Sequence, residues 1–208
     1  MRRQLAGIDL RRIDCLRRPA DRARSLLGHA LLRHALRAHG LSDRDWRYGL
    51  GPYGKPCLWG AASLEFNLSH AGSQVVCVLS SAPVGVDIEQ VRAIDLGIAE
   101  RFFHPREQAA LMACAPSLRR DYFFRLWTAK EAYVKALGLG LQRDLASFAV
   151  LPGAGQSVAL DDERAPAGAL RFALADVACE NGYRLALCRT AGTPLPVLTA
   201  VAAEALLA

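Results

Sequence analysis

Two carboxylates stand two residues apart in the segment Gly85-Val86-Asp87-Ile88-Glu89. On a strand, positions i and i+2 share a face, so Asp87 and Glu89 project together while Val86 and Ile88 turn to the core. Like charges so placed repel unless something positive lies between them. A hard divalent ion such as Mg²⁺, which takes carboxylate oxygens and keeps several waters, is the chemistry this pair would serve; two solvated acids at a strand end would look the same. In Phe124–Lys135 the residues Trp127, Glu131 and Lys135 are each four apart. At helical spacing they fall within an arc of about 80°. That stripe is either an ordinary Glu–Lys surface pair or a third metal carboxylate followed by a cation for a phosphate that the metal also holds. The segment Phe66-Asn67-Leu68-Ser69-His70, read as a turn beside the small Ala71 and Gly72, offers an imidazole donor or a nest of backbone amides to an anion. Gly54-Lys55-Pro56 adds a cation on a turn whose glycine permits close approach. Each signal is weak alone, but all agree on one ligand, a polyanion bound with Mg²⁺.

The elements that must position these groups follow from hydrophobic period and punctuation. Residues 21–39 place Leu26, Leu27, Ala30, Leu31 and Ala35 on one helical face, with Asp21 as N-cap and Gly40 just past the end. A Gly/Pro-rich loop over 49–56 and a short strand over 64–68 come next. Apolar runs at 74–80 and 84–89 flank an Ala82-Pro83 turn and predict a hairpin over 74–89. Two helical stretches are expected at 96–103 and 105–113, with Pro105 in a first turn after His104. A long helix over 117–137 stops at the Gly138 and Gly140 pair. Strands are expected over 148–151, 156–160, 169–173 and 183–188, and a last strand or helix near the C-terminus. Each half of the chain runs from a long helix into strands, which suggests two α+β units.

Composition narrows the class. The 208 residues are 52% hydrophobic and 22% charged, enough apolar surface for a core and too much for a disordered chain. No apolar run reaches the length of a membrane-spanning helix, and the charged MRRQLAGIDLRR start lacks the apolar stretch of a secretory signal; a cytoplasmic protein is expected. The six cysteines are scattered without metal-ligand spacing and read as free thiols. The net charge of +6 is concentrated at the start, since residues 1–50 hold 12 Arg against 5 Asp. These arginines are interspersed with the leucines a helix needs for packing, and no nucleic-acid motif accompanies them. Among 26 basic residues only Lys55, Lys130 and Lys135 are lysines.

The segments GKP, FNLSHAG, VGVDIE and FRLWTAKEAYVKALGLGL, in this order, resemble the Sfp-type 4′-phosphopantetheinyl transferases. Their N-x-S-H, G-x-D-x-E and W-x-x-K-E-A-x-x-K motifs are all present, and the similarity spans roughly residues 20–190. The resemblance implies a pseudo-dimer of two similar α+β subdomains, with an N-terminal half at 1–86 on the coenzyme A side and a C-terminal half at 87–208 carrying the metal and W-x-x-K-E motifs. It implies transfer of the 4′-phosphopantetheine arm of coenzyme A (CoA) to a serine of an acyl or peptidyl carrier protein, with Mg²⁺ and release of adenosine 3′,5′-bisphosphate. Asp87, Glu89 and Glu131 would be the metal ligands, and Glu131 the base toward the serine, directly or through water. Lys135 and His70 would contact CoA phosphates, with Ser69 and Lys55 near the 3′-phosphoadenosine end and Arg17, Arg18, Arg24 and Ser25 aligned approximately with further CoA contacts. Relatives of this type usually carry about twenty more residues before the first helix, so either the chain starts late or Arg11, Arg12, Arg17 and Arg18 supply that surface from a shorter segment. A fold that already contains two halves implies a monomer, without membrane or nucleic-acid partners. The same acids and cations would also serve a Mg²⁺-dependent phosphate hydrolase or a CoA-binding regulator.

Overall fold

Pro19 supplies the fixed φ that suits a first helical turn, and helix α1 (Pro19–Ala38) starts there in the computed structural model, which describes residues 13–60, 64–165 and 170–206. The N-cap position is therefore Arg18 rather than the expected Asp21, whose carboxylate instead pairs with Arg24 one turn on. Gly40, at φ +80°, follows the helix end as expected. Two hairpins come next. The first joins β1 (Arg47–Leu50) to β2 (Pro56–Trp59), so the expected 49–56 loop is the turn of a short ladder. The second joins β3 (Glu65–Ala71) to β4 (Gln74–Ser80) through Gly72-Ser73.

Strand β5 (Val84–Gln90) is not the partner of β4. The hairpin expected over 74–89 is corrected: β4 pairs with β3, and β5 pairs antiparallel with the last strand, Asp87 opposite Ala186. Alternation of apolar residues sets the face a strand buries but says nothing about which neighbour it takes. Helices α2 (Ile98–Phe102), α3 (Pro105–Ala113) and α4 (Pro116–Leu137) follow close to their expected positions. Gly138 ends α4 in the left-handed region at φ +72°, its N–H bonding Val134 O. Strands β6 (Ala149–Pro152), β7 (Ser157–Asp161), β8 (Phe172–Val177) and β9 (Tyr183–Thr190) complete an antiparallel sheet in the order β5-β9-β8-β7-β6. The expected 169–173 strand is displaced toward the C-terminus, and the chain's last described element is a single 3₁₀ turn, Ala203–Leu206.

The order helix, hairpin, hairpin thus occurs twice, as α1 with β1–β4 and as α4 with β6–β9. This is an α+β fold of two like subdomains. The first packs Leu32 and Leu36 of α1 on Trp46 and Phe66, and the second packs Phe124, Ala129, Ala132 and Tyr133 of α4 on Phe148, Val150, Leu174 and Cys188. Between them Val78 of β4 meets Val84, Val86 and Ile88 of β5 and Leu185 and Leu187 of β9. Residue 86 falls inside β5, so the two halves meet through a strand rather than a linker.

The other face of β5 lies directly on α4 at Gly85. A Cβ there would stand 2.1 Å from Ala132 O and 2.4 Å from Ala136 N, both backbone atoms that cannot turn aside. This approach is what brings Asp87 and the stripe of α4 together. Gly85→Ala is expected to cost about 1–3 kcal/mol or more by overpacking, read as a lowered urea midpoint; an unchanged midpoint would show that strand and helix can separate.

Candidate active site

Three elements converge on Asp87: β5 that carries it, α4 with Glu131 and Lys135, and β3 with Asn67, Ser69 and His70. The reading of residues 66–70 as a turn with an amide nest is corrected. These residues are in β3, paired to β4 with Ser69 opposite Val76 and His70 opposite Val75, so what they present are side chains. Asp87 and Glu89 share the face toward α4 as expected, opposite to the buried Val86 and Ile88.

Lys135 Nζ donates to Asp87 Oδ1 at 2.6 Å, to Ser69 Oγ at 3.1 Å and to Val86 O at 3.1 Å. An ammonium has three donors, and all are engaged. The Ser69 hydroxyl donates to Asp87 Oδ1 at 2.8 Å and accepts from Ile88 N at 3.2 Å and from Lys135, which uses its one donor and both acceptor positions. Asp87 is 5% exposed, and its second oxygen Oδ2 is buried without a hydrogen-bond partner among the described residues. Burial raises its pKa against the pull of Lys135 and Ser69.

Glu89 is pushed up to about 6, first by burial and then by the charge of Asp87, with Arg92 and Lys135 opposing. Glu131 is raised by burial and again by Asp87. All three carboxylates are therefore shifted in the less acidic direction, Asp87 by burial and Glu89 and Glu131 by burial and the charge of Asp87. Among the described residues, no three His, Cys, Asp or Glu side chains are gathered closely enough to enclose a metal ion as they stand; Lys135 holds the place beside Asp87 Oδ1. The donor set nonetheless suits a hard cation, because the orphaned Asp87 Oδ2 and the mutually repelling acids all gain from one.

His70 is exposed on β3. Its pKa is lowered by desolvation of the ring and by the nearby Arg24 and Lys135 charges, with Asp21 opposing. Arg24, expected with Ser25 to align approximately with CoA contacts, reaches from α1 to Gly72 O at 3.2 Å. Ser25 lies beside it on α1, and Arg17 and Arg18 are exposed just before the helix; Arg11 and Arg12 fall outside the described residues. Lys55 is engaged elsewhere. Its Nζ donates to Val84 O at 3.2 Å and to Ala136 O at 3.3 Å, next to Glu65 at 3.6 Å, and so joins the β1–β2 turn to β5 and the end of α4.

The remaining motif residues are structural. Trp127 is half-buried against the rings of Phe102, Phe103 and Phe123. Lys130 is fully buried and bonded to both oxygens of Glu107 at 2.6 and 2.7 Å and to Phe148 O at 2.8 Å. Glu107 was legible in one respect, as the third residue of a helix whose N-cap is His104. The imidazole accepts from Arg106 N while Glu107 accepts from His104 N.

Residues 83–188 match the family model described as ACPS, the 4′-phosphopantetheinyl transferase superfamily. The chain is 38% identical over 171 residues to 4′-phosphopantetheinyl transferase Sfp of Bacillus subtilis (strain 168), covering 81% of this chain and 74% of that protein. It is 36% identical over 190 residues to 4′-phosphopantetheinyl transferase ffp of Bacillus subtilis, covering 90% and 83%. A solved holo-(acyl-carrier-protein) synthase from Bacillus anthracis str. Ames in complex with CoA (3′,5′-ADP) superposes with a TM-score of 0.43 and 19% identity over 51% of this chain and 93% of that one.

Proposed function

The chain belongs to the 4′-phosphopantetheinyl transferase superfamily, and from that premise we propose that Asp87, Glu89 and Glu131 hold a Mg²⁺ at which its transfer reaction takes place. The enzyme transfers the 4′-phosphopantetheine arm of CoA to a serine of carrier proteins. The observation that carries the metal reading is the buried, unpartnered Asp87 Oδ2 in a site where all three carboxylates are shifted toward protonation. Held by Asp87, Glu89 and Glu131, a Mg²⁺ would supply positive charge to the pyrophosphate as the phosphoanhydride breaks. Lys135, released from Asp87 Oδ1, turns its ammonium to a phosphate oxygen. His70 and the CoA-side residues Arg17, Arg18 and Ser25 face the same ligand from the N-terminal half, 1–86, opposite the metal and W-x-x-K-E groups of 87–208. Lys55 and Ser69 reach CoA only by giving up the bonds they make to protein atoms. Glu131, raised above the ordinary carboxylate value, accepts the proton of the carrier serine directly or through a water. The basic first quarter draws in an acidic carrier surface, and we read the enzyme as a cytoplasmic monomer. No helix among the described residues is long and apolar enough to cross a membrane.

The deciding experiment is incubation with CoA, Mg²⁺ and a panel of apo carrier proteins, followed by intact mass. A gain of one phosphopantetheine arm is expected, lost on chelation of the metal. A reaction indifferent to chelation would remove Mg²⁺ from the mechanism.

Protons and the metal compete for the same oxygens. Because Glu89 is raised to about 6, the folded protein binds more protons than the unfolded chain between the ordinary carboxylate value and about pH 6. The stability from this group is present at low pH and lost as pH rises through that window, where a cation restores it. With CoA present, the Mg²⁺-induced rise in melting temperature is expected to be about twofold or more larger at roughly pH 7.5 than at roughly pH 5. Equal rises at both would take Glu89 out of the ligand set.

A further inference from the structure

We propose that Asn67 and Ser69 are positioning residues for Asp87, standing in for the neighbouring strand that β5 lacks; the proposal rests on Asp87 belonging to the transfer site. β5 is an edge strand, hydrogen-bonded on one side only, to β9. Backbone groups on an open edge face water or find other partners. Here side chains take them. Val86 N donates to Asn67 Oδ1 at 2.9 Å, and Ile88 N donates to Ser69 Oγ at 3.2 Å. Val86 O accepts from Lys135 Nζ and Val84 O from Lys55 Nζ.

The spacing makes this possible. Asn67 and Ser69 are i and i+2 on β3, about 6.6 Å apart on one face, which equals the separation of the outward amides at 86 and 88 on β5. Both are buried, at 6% and 7% exposure, so neither is free to exchange its bond for water. Two acceptors therefore clamp the residues on either side of Asp87. The backbone between them is restrained on both sides, which holds the carboxylate against Lys135. Ser69 adds a direct bond to Asp87 Oδ1 with its remaining hydrogen. The N-x-S spacing thus has a reason in the register of β3 against β5, and it assigns Ser69 to Asp87 rather than to a phosphate. A displacement of about 1 Å at a reacting group is enough to cost on the order of 100-fold in rate.

The test compares Asn67→Ala, Ser69→Ala and Ser69→Thr. Transfer to an apo carrier protein is measured with CoA varied at saturating Mg²⁺, and amide exchange is followed by mass spectrometry in peptides covering residues 84–90. Asn67→Ala and Ser69→Ala are expected to lower kcat about 10- to 100-fold, with KM for CoA within about threefold and faster exchange at 84–90. Ser69→Thr, which keeps the hydroxyl, is expected to recover most of the loss. A rise in KM for CoA of about tenfold with kcat unchanged would overturn the proposal, since that is the signature of a phosphate contact. Full kcat with unchanged exchange would overturn it too. Should Asn67→Ala fail to fold, Ser69→Ala decides alone, because its hydroxyl bonds both Ile88 N and Asp87. Wild-type transfer that survives chelation would defeat the metal reading, and the kcat against KM split would still decide the positioning role.

Discussion

Replacing Glu131 with Gln lowers transfer to a carrier protein by about 10³-fold or more, while the melting temperature of the CoA-free enzyme stays equal to or rises above that of the wild type. The two halves of this result have one cause. Glu131 is half-buried and repelled by Asp87, both of which raise its pKa, and no hydrogen bond to another residue compensates it among the described residues. An amide of the same shape removes the repulsion and the desolvation of a charge, so the resting protein gains. The same amide offers a metal a weaker oxygen and cannot accept the serine proton, so the reaction loses. Asp87→Asn is expected to behave alike in rate, since the amide oxygen can still accept from Ser69 and Lys135 but brings no charge to the metal. Intact-mass time courses read the rate, and thermal melts without CoA read the stability. Near-normal turnover by folded Glu131→Gln would remove Glu131 from the site. A melting temperature well below wild type would mean that the carboxylate does structural work after all.

How far the site was legible in the sequence depends on the kind of information each residue carries. Asp87 and Glu89 were placed on one face by the period of a strand, and Glu131 and Lys135 on one stripe by the period of a helix; both hold. Pairing was not legible. The apolar runs 74–80 and 84–89 look like a hairpin because a short turn separates them, yet β4 folds back on β3 and β5 crosses to β9. With that error went the meaning of Asn67, whose bond to Val86 exists only because β3 flanks the open edge of β5. Gly85 carried a signal that sequence reading can use, a glycine inside a buried strand, which marks close backbone approach. The three lysines do three different jobs. Lys135 bonds the Asp87 carboxylate, Lys55 ties backbone carbonyls of β5 and α4, and Lys130 lies in the core. A lysine one residue before a site glutamate is 100° round the helix from it, and only the packing of α3 and β6 shows what waits there.

Lys130→Met is expected to destabilise the enzyme by about 3–5 kcal/mol, because it strands a buried carboxylate rather than because it deletes an attraction. Lys130 and Glu107 are each fully buried. Together they bond Phe148 O, Val150 N and His104 N, so one pair fastens α4 to the start of α3 and to β6. The ammonium also lies 4.3 Å from the centroid of the Phe148 ring. For a domain of this size the loss corresponds to roughly 6–20 °C in melting temperature. Burial already raises the pKa of Glu107, and without Lys130 only the amides of Val150 and His104 oppose it. A folded-state pKa above the unfolded one confers stability that is full at low pH and lost as pH rises, so Lys130→Met should regain part of its deficit at roughly pH 5 relative to roughly pH 8. Pairing it with Glu107→Gln, whose amide oxygen can accept from Val150 N although its NH2 then faces the His104 N–H, should recover part of the loss at neutral pH because no buried charge is left unpaired. The double-mutant cycle in urea measures the coupling directly. A single variant as stable as wild type, or a double variant no better than Lys130→Met alone, would show that apolar packing of α4 holds the helix without this ion pair.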